Sequence, residues 1–311
     1  MRISLIPRNG LGNRLQAITS AIILSKDLNA EVRILWGKET LLPLKADEIF
    51  SNPTLSKIFE ECSEGRISSM LDEIPEFLST RDEAGEIFLR GNRLGEQRFM
   101  NKIAKLLSSE KDYKQLTIVA GGQFELKSKR NTREFQKRRH LVYRELTLTE
   151  EINNDANEIL DSLKRPYLAL HLRSTDRGNQ SIADRVLVRE CIRQQKRQNI
   201  ESLLIVGDST QRIAKVWQLF QAESIAPQLS PVNDLSRTSA SGSRMALLDW
   251  ILLRNATAIV ASESSTFAVE AAVAGGIYEN SIFLRPNLYK RYRNYLKEKT
   301  ALYRKFGVNP F

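Results

Sequence analysis

Cysteine is scarce in this chain. Cys62 and Cys191 are the only two in 311 residues, too few and too far apart for a disulfide framework or a CxxC metal clamp. Such usage fits a reducing compartment, and a cytoplasmic protein is expected. No run of eighteen apolar residues occurs, and the apolar start from Met1 to Ile6 breaks at Pro7, so neither a membrane span nor a secretory leader is expected. Fifteen glycines and nine prolines without a repeat exclude collagen, and the composition excludes disorder and coiled coil as well. What remains is a chain that is 41% hydrophobic and long enough for one large or two ordinary domains with real cores. Its 47 Lys and Arg outweigh 37 Asp and Glu to give a formal charge of +10, so its field attracts anions. Nucleic acid, lipid headgroups, acidic glycans and nucleotide phosphates all satisfy that requirement.

The pattern of elements is more informative. Arg2 to Pro7 reads as a short apolar strand, Asn9 to Gly12 as a turn, and Asn13 to Leu28 as an amphipathic helix with Leu15, Ile18, Ala21 and Ile22 at helical spacing. Glu31 to Trp36 supplies a second strand, which opens a parallel α/β sheet. From Asn52 to Leu116 the chain is polar and poorly periodic, and Leu116 to Ala120 is a further strand. A helix over Thr149 to Leu163 ends at Arg165-Pro166, where a second alternating series begins. Strands are expected at 167–173, 203–207, 258–261 and 282–284, and helices at 185–198, 210–220, 245–254 and 265–273. A polar loop covers roughly 230–244. Two Rossmann-like domains follow, 1–155 and 156–311, with a hinge near 150–166 and the ligand site in the cleft between them.

Two basic stretches stand apart. Lys127, Lys129, Arg130, Arg133, Lys137, Arg138 and Arg139 read as a solvated surface in preference to a specific anion site. Tyr289 to Lys297 interleaves aromatics with cations, as a terminal helix with inward tyrosines does. A base-stacking surface or a peripheral contact with an anionic membrane is the alternative.

Four places at strand ends offer chemistry. In Asn9-Gly10-Leu11-Gly12-Asn13-Arg14, Gly10 and Gly12 permit close backbone approach and expose helix amides, without the spacing of a dinucleotide or Walker motif. A tight turn with Asn13 as the helix cap explains it equally well. In His171-Leu172-Arg173-Ser174-Thr175-Asp176, alternation puts His171 and Arg173 on one side of the strand. Arg173 can pair with Asp176 or grip a diphosphate. His171 has no second His, Cys or carboxylate at ligand spacing, so no metal is expected. Asp208, after a strand, is a helix cap or a site carboxylate with equal weight. The last place combines Asp249 with Ser262, Ser264, Ser265 and Thr266, where hydroxyls and amides at a helix start form a phosphate cradle without lysine or serve as plain helix caps.

Gly10-Leu11-Gly12-Asn13-Arg14-Leu15, the His-x-Arg-x-x-Asp run from His171 to Asp176, and the string from Leu247 to Ala272 together resemble the α1,6-fucosyltransferase and protein O-fucosyltransferase superfamily, including its bacterial nodulation-type members. The resemblance implies a GT-B arrangement of two facing Rossmann-like domains, with the acceptor on the N-terminal side and GDP-fucose on the C-terminal side. It implies guanine contacts at His171 and Asp249, a diphosphate clamp at Arg173, a phosphate ligand at Ser265, and an approach by Asn13 from the other domain. Relatives with an Arg-Arg pair carry a second arginine where this chain has Ser174. The position of a base glutamate in core-type enzymes is Ser181 here, which leaves Asp184 and Asp208 as the nearest carboxylates. With no convincing Asp-x-Asp site, the expected sugar transfer is metal-independent and without a cofactor, and the resemblance implies inversion at the anomeric carbon. A transferase using another nucleotide sugar on the same fold, or a non-enzymatic basic protein that binds nucleic acid or an anionic surface, is the alternative. The partners of the transfer are a nucleotide-sugar donor and a glycan or glycoconjugate acceptor, and no specific nucleic acid is expected.

Overall fold

The computed structural model describes residues 1–37, 42–51, 57–74, 77–90, 93–109, 112–126, 133–174, 182–231, 234–236 and 238–285. Two sheets divide the chain. The first holds β1 (Arg2–Pro7), β2 (Glu31–Gly37), β3 (Phe59–Cys62), β4 (Phe77–Arg81), β5 (Glu86–Arg90) and β6 (Gln115–Ala120) in the order β3-β2-β1-β6-β5-β4. The second holds β7 (Tyr167–Leu172), β8 (Ser202–Gly207), β9 (Gln228–Leu229), β10 (Ala258–Ser262) and β11 (Ile282–Leu284) in the order β11-β10-β7-β8-β9. All pairings are parallel except β4 on β5, which makes the first sheet mixed at its edge rather than wholly parallel. The helices are α1 (Leu11–Asp27), α2 (Glu64–Glu73), α3 (Arg93–Leu107), α4 (Arg133–Glu145), α5 (Glu150–Ser162), α6 (Asp184–Gln198), α7 (Thr210–Ala222), α8 (Ala240–Arg254) and α9 (Thr266–Ala274).

The second sheet reverses strand order once, between β7 and β10, whereas the first runs β3-β2-β1 and then jumps to β6-β5-β4 without reversing. In open α/β sheets such a reversal leaves a crevice outside the carboxyl ends of the strands. Alternation on β7 sends Leu168, Leu170 and Leu172 to one face, where they pack with Val188, Val216 and Phe220 of the outer helices. Ala169 goes to the other face, into a core shared with Ile3, Leu5 and Ile18 of the first half and Leu252 and Ala271 of the second. A single apolar mass therefore joins the two halves.

Helix α1 lies in that mass. An amphipathic helix was expected, yet nearly every residue from Leu11 to Ser25 is buried, including Gln16, Thr19 and Ser20. The reason is its position between the first sheet and α9, which leaves it no wet face. Small side chains allow the approach: Ala17 and Ala21 on α1, and Ala268, Ala271 and Ala272 on α9, are fully buried. The hydroxyls of Thr19 and Ser20 are tolerated because each donates back to a carbonyl, Leu15 O at 2.9 Å and Gln16 O at 2.8 Å.

The structure amends one further expectation and adds detail at two other places. The polar loop is shorter than expected, since α8 starts at Ala240 with Ser239 as its cap and Gly242 pressed against the Ser236 carbonyl. The stretch from Asn52 to Leu116 is not irregular but carries β3, α2, β4, β5 and α3. The expected boundary at 155/156 falls inside α5, and that helix leans on α8 through Arg244, which meets Asp155 at 2.5 Å and Glu151 at 2.6 Å.

Candidate functional site

Leu170 pairs with Val260, so β7 and β10 leave the second sheet side by side, at Arg173 and at Glu263. On the other flank Leu172 pairs with Gly207, which sets Asp208 beside the end of β7. Three strand ends separated by up to ninety residues in sequence thus share one rim. Asp208 Oδ1 accepts the Ser174 amide at 2.7 Å, and Arg173 is half-buried where the strand ends.

At the β10 end, Ser265 caps α9, its hydroxyl accepting the Ala268 amide at 3.3 Å and pairing with His171 Nδ1 at 3.1 Å. Ser265 is fully buried and His171 is nearly so, its ring 5.4 Å from that of Phe267. The Ser265 hydroxyl is thus engaged by the helix cap and by His171. The half-exposed hydroxyls of this turn are Ser262 and Ser264, joined to each other at 2.9 Å. Thr266 is buried behind them.

The first half reaches the same helix start. Gly10, not Asn13, caps α1, and a Cβ added at Gly10 would meet nothing within 4 Å. A Cβ at Gly12 would sit 2.9 Å from the backbone of Phe267, closer than real Cβ atoms approach. The second glycine is therefore demanded by contact between the two helix starts, and the first faces open space. Asn13 is half-exposed one position on. Arg14 departs from expectation: it is wholly buried, donates to Asn9 O at 3.0 Å and Gly37 O at 2.8 Å, and lies 4.6 Å over the Trp36 ring. Those contacts tie α1 to β2.

The remaining carboxylates sit in opposite settings. Asp184, at the start of α6, is flanked by Arg212 at 2.9 Å and Lys215 at 3.0 Å. Burial works against its charge, but hydrogen bonds and charge from Lys215 and Arg212 prevail and hold the carboxyl below its usual range. Asp249 on α8 is buried with Ser230 at 2.5 Å. Burial pushes its carboxyl up to about 7 despite the Ser230 hydrogen bond. Asp176 lies outside the described residues.

One network was missed at the level of sequence. Arg139, expected on a solvated surface, is fully buried and pairs with fully buried Glu270 of α9. Its guanidinium also reaches Thr19 of α1 at 2.9 Å, Gln136 at 3.0 Å and Gln123 at 3.2 Å. Tyr143 donates to Glu270 at 2.5 Å, and burial followed by the Glu270 charge pushes its hydroxyl well above the usual value. His140 meets the Val273 and Ala274 carbonyls at 3.1 and 3.2 Å, at the far end of α9. Arg133 and Arg138 of the same run are surface residues paired with Glu279 and Asp27, while Lys127, Lys129 and Arg130 lie outside the described residues, as does the stretch from Tyr289 to Lys297. Nothing in a run of cations marks Arg139 apart, because its acceptors come from three distant segments.

Taken together, the rim offers a guanidinium at a strand end, hydroxyls at a helix N-terminus and a second helix start from the other half, a combination suited to an anion. Among the described residues, no group of three or more His, Cys, Asp or Glu side chains is placed to hold a metal ion, and no helix is long and apolar enough to cross a membrane.

No protein-family model and no curated protein matches the chain. Solved structures do. The fucosyltransferase NodZ from Bradyrhizobium aligns over 87% of this chain and 91% of its own, with 14% identity and a TM-score of 0.55. FUT1 of Arabidopsis thaliana, solved with GDP, aligns over 92% of this chain and 71% of its own, with 13% identity and a TM-score of 0.64. POFUT1 with GDP aligns over 91% and 97%, with 11% identity and a TM-score of 0.52. The chain thus has the fold of these fucosyltransferases, a GT-B arrangement of two Rossmann-like units that extends over nearly its whole length.

Proposed function

We propose that the protein is a glycosyltransferase that moves fucose from GDP-fucose to a hydroxyl of a glycan or glycoconjugate, with inversion at the anomeric carbon and without a metal ion. The observation that carries this is the shared rim, where the end of β7 with Arg173, the turn Ser262–Ser264 and the start of α1 come together. Structures of NodZ soaked with GDP-fucose and of POFUT1 with GDP-fucose are among its neighbours in fold.

Departure of a nucleoside diphosphate needs its growing negative charge stabilised by groups already in place. Arg173 supplies the fixed cation, and the Ser262 and Ser264 hydroxyls with the α9 N-terminus supply donors. His171, locked by Ser265, and the buried Asp249 are assigned the contacts to the base. Gly10 and Asn13 bring the other half against the sugar. Asp208, at the same rim, is assigned the proton from the acceptor hydroxyl. Asp184 serves instead as an anchor, because Arg212 and Lys215 already occupy its carboxylate.

A melting panel with GDP, UDP, CDP, dTDP and their sugars tests the donor, since a ligand that binds only the native state raises the melting temperature. GDP and GDP-fucose are expected to give the largest rise. A flat response to all of them sinks the proposal, and a preference for UDP redirects it. Arg173→Ala is expected to abolish transfer while the circular dichroism spectrum stays unchanged; near-normal turnover would remove the clamp. Activity is expected to persist in EDTA, and loss that manganese restores would overturn the metal-free mechanism.

A further inference from the structure

We infer that Arg212 is the positioning residue of the rim, holding Arg173 in place by bracing both stems of the connection from β7 to α6. The inference rests on the transferase reading above and deepens it. Arg212 sits in the first turn of α7, where its own amide bonds the Ser209 cap at 3.4 Å. Its Nη1 donates to the Arg173 carbonyl at 2.7 Å and lies 3.5 Å from the Ser174 hydroxyl. Its Nη2 donates to the Ile182 carbonyl at 3.1 Å, and its Nε to Asp184 Oδ1 at 2.9 Å. One planar fork therefore ties residue 173, where β7 has just ended, to residues 182 and 184, where α6 begins.

Alternatives to this geometry are few. A lysine carries its charge at one point, so it can replace the ion pair with Asp184 but not the simultaneous bonds to two backbone carbonyls. Asp208 holds the neighbouring Ser174 amide from the β8 side. Between them, α7 and β8 fix the backbone from which the Arg173 side chain departs. The side chain of Arg212 is 14% exposed and that of Asp184 13%, so the brace stands just under the surface, outside the shared core. Losing it displaces a stem without opening that core. A misplacement of about 1 Å at a reacting centre is enough to cost catalysis heavily.

The test is a double-mutant cycle on the full chain, with GDP affinity read by calorimetry and initial rates with GDP-fucose where transfer is detectable. Arg212→Met is expected to weaken GDP by roughly tenfold in the wild-type background and by less than about twofold when Arg173 is already alanine, because Arg212 acts through Arg173. Arg212→Lys is expected to keep the wild-type melting temperature to a larger degree than Arg212→Met while restoring little GDP affinity. It also serves as the reading if the methionine variant does not fold. An equal loss in both backgrounds, or full rescue by lysine, overturns the positioning role and leaves an ordinary ion pair. If Arg173→Ala itself leaves GDP affinity unchanged, the clamp falls and the brace with it, a result distinct from failure of the brace alone.

Discussion

The two sides of the rim are held in place by different means. On the α9 side, a helix of the second half is gripped along its length by the first half. Gly12 closes on its start, Arg139 and Tyr143 meet Glu270 at its middle, and His140 covers its last carbonyls. On the Arg173 side, the support comes from the same half and lies near solvent, through Arg212 and Asp208. The α9 side is thus part of the joint between halves, whereas the Arg173 side is local. A ligand that touches both would be reading a fixed wall and a separately braced cation.

The largest expected break in this contrast is Arg139→Met. It leaves the fully buried Glu270 without its cation, and loss of one partner of such a pair costs about 3–5 kcal/mol. Urea unfolding is expected to show that loss for the single variant and to recover most of it in Arg139→Met with Glu270→Met. A single variant as stable as wild type would mean that the joint does not depend on the pair.

The two glycines sharpen the same point at smaller scale. Gly12→Ala must push α1 from α9 and is expected to cost about 1–3 kcal/mol. Gly10→Ala, with φ at −70° and open space around it, is expected to cost less than about 1 kcal/mol. Equal costs in denaturant titrations would show that close helix contact is not what fixes the second glycine.

A pH-dependent effect concerns the two carboxylates. Asp249 is raised to about 7 by burial, so the native state binds its proton between the ordinary carboxylate range and pH 7 while the unfolded chain has lost it. Its contribution is complete in acid and is lost as pH rises through about 7. Asp184 is lowered by Lys215 and Arg212, so its contribution is present at neutral pH and is lost as pH falls through its depressed folded value. Asp249→Asn is expected to flatten the decline in stability between pH 5 and pH 7, measured as the urea midpoint against pH. An unchanged slope would show that burial does not control this carboxyl.

Most strands and helices of the second half were legible, from Tyr167 to Leu284, because each apolar strand run is bounded by turn residues and followed by a helical period. The helix at Glu150–Ser162 was legible down to its caps at Thr149 and Leu163. The first half was legible only at β1, α1, β2 and β6. Elsewhere in that half, β4 and β5 are only five residues each and paired antiparallel, with β4 at the half-wet edge of the sheet, and α3 and α4 carry many charges, so no clean period survives. At the site, the strand-end positions of Arg173, Asp208 and Ser264 could be read from sequence, as could the two glycines. Arg212 could not, since half of its acceptors are backbone carbonyls and all lie about thirty residues away or more, and any exposed helix carries an arginine of the same kind.

Sequence alone determined which residues stand at strand ends, since alternation, turn residues and helix starts are local properties of a few neighbouring side chains. Only the tertiary structure decided which strand ends adjoin, because strand order is set by packing both faces of each sheet and not by any single segment. That order is also what turned Arg139 inward, carried Arg14 into the core and set the Ser265 cap against His171. A polar side chain takes its role from the partners that burial leaves within reach, and those partners were tens of residues away.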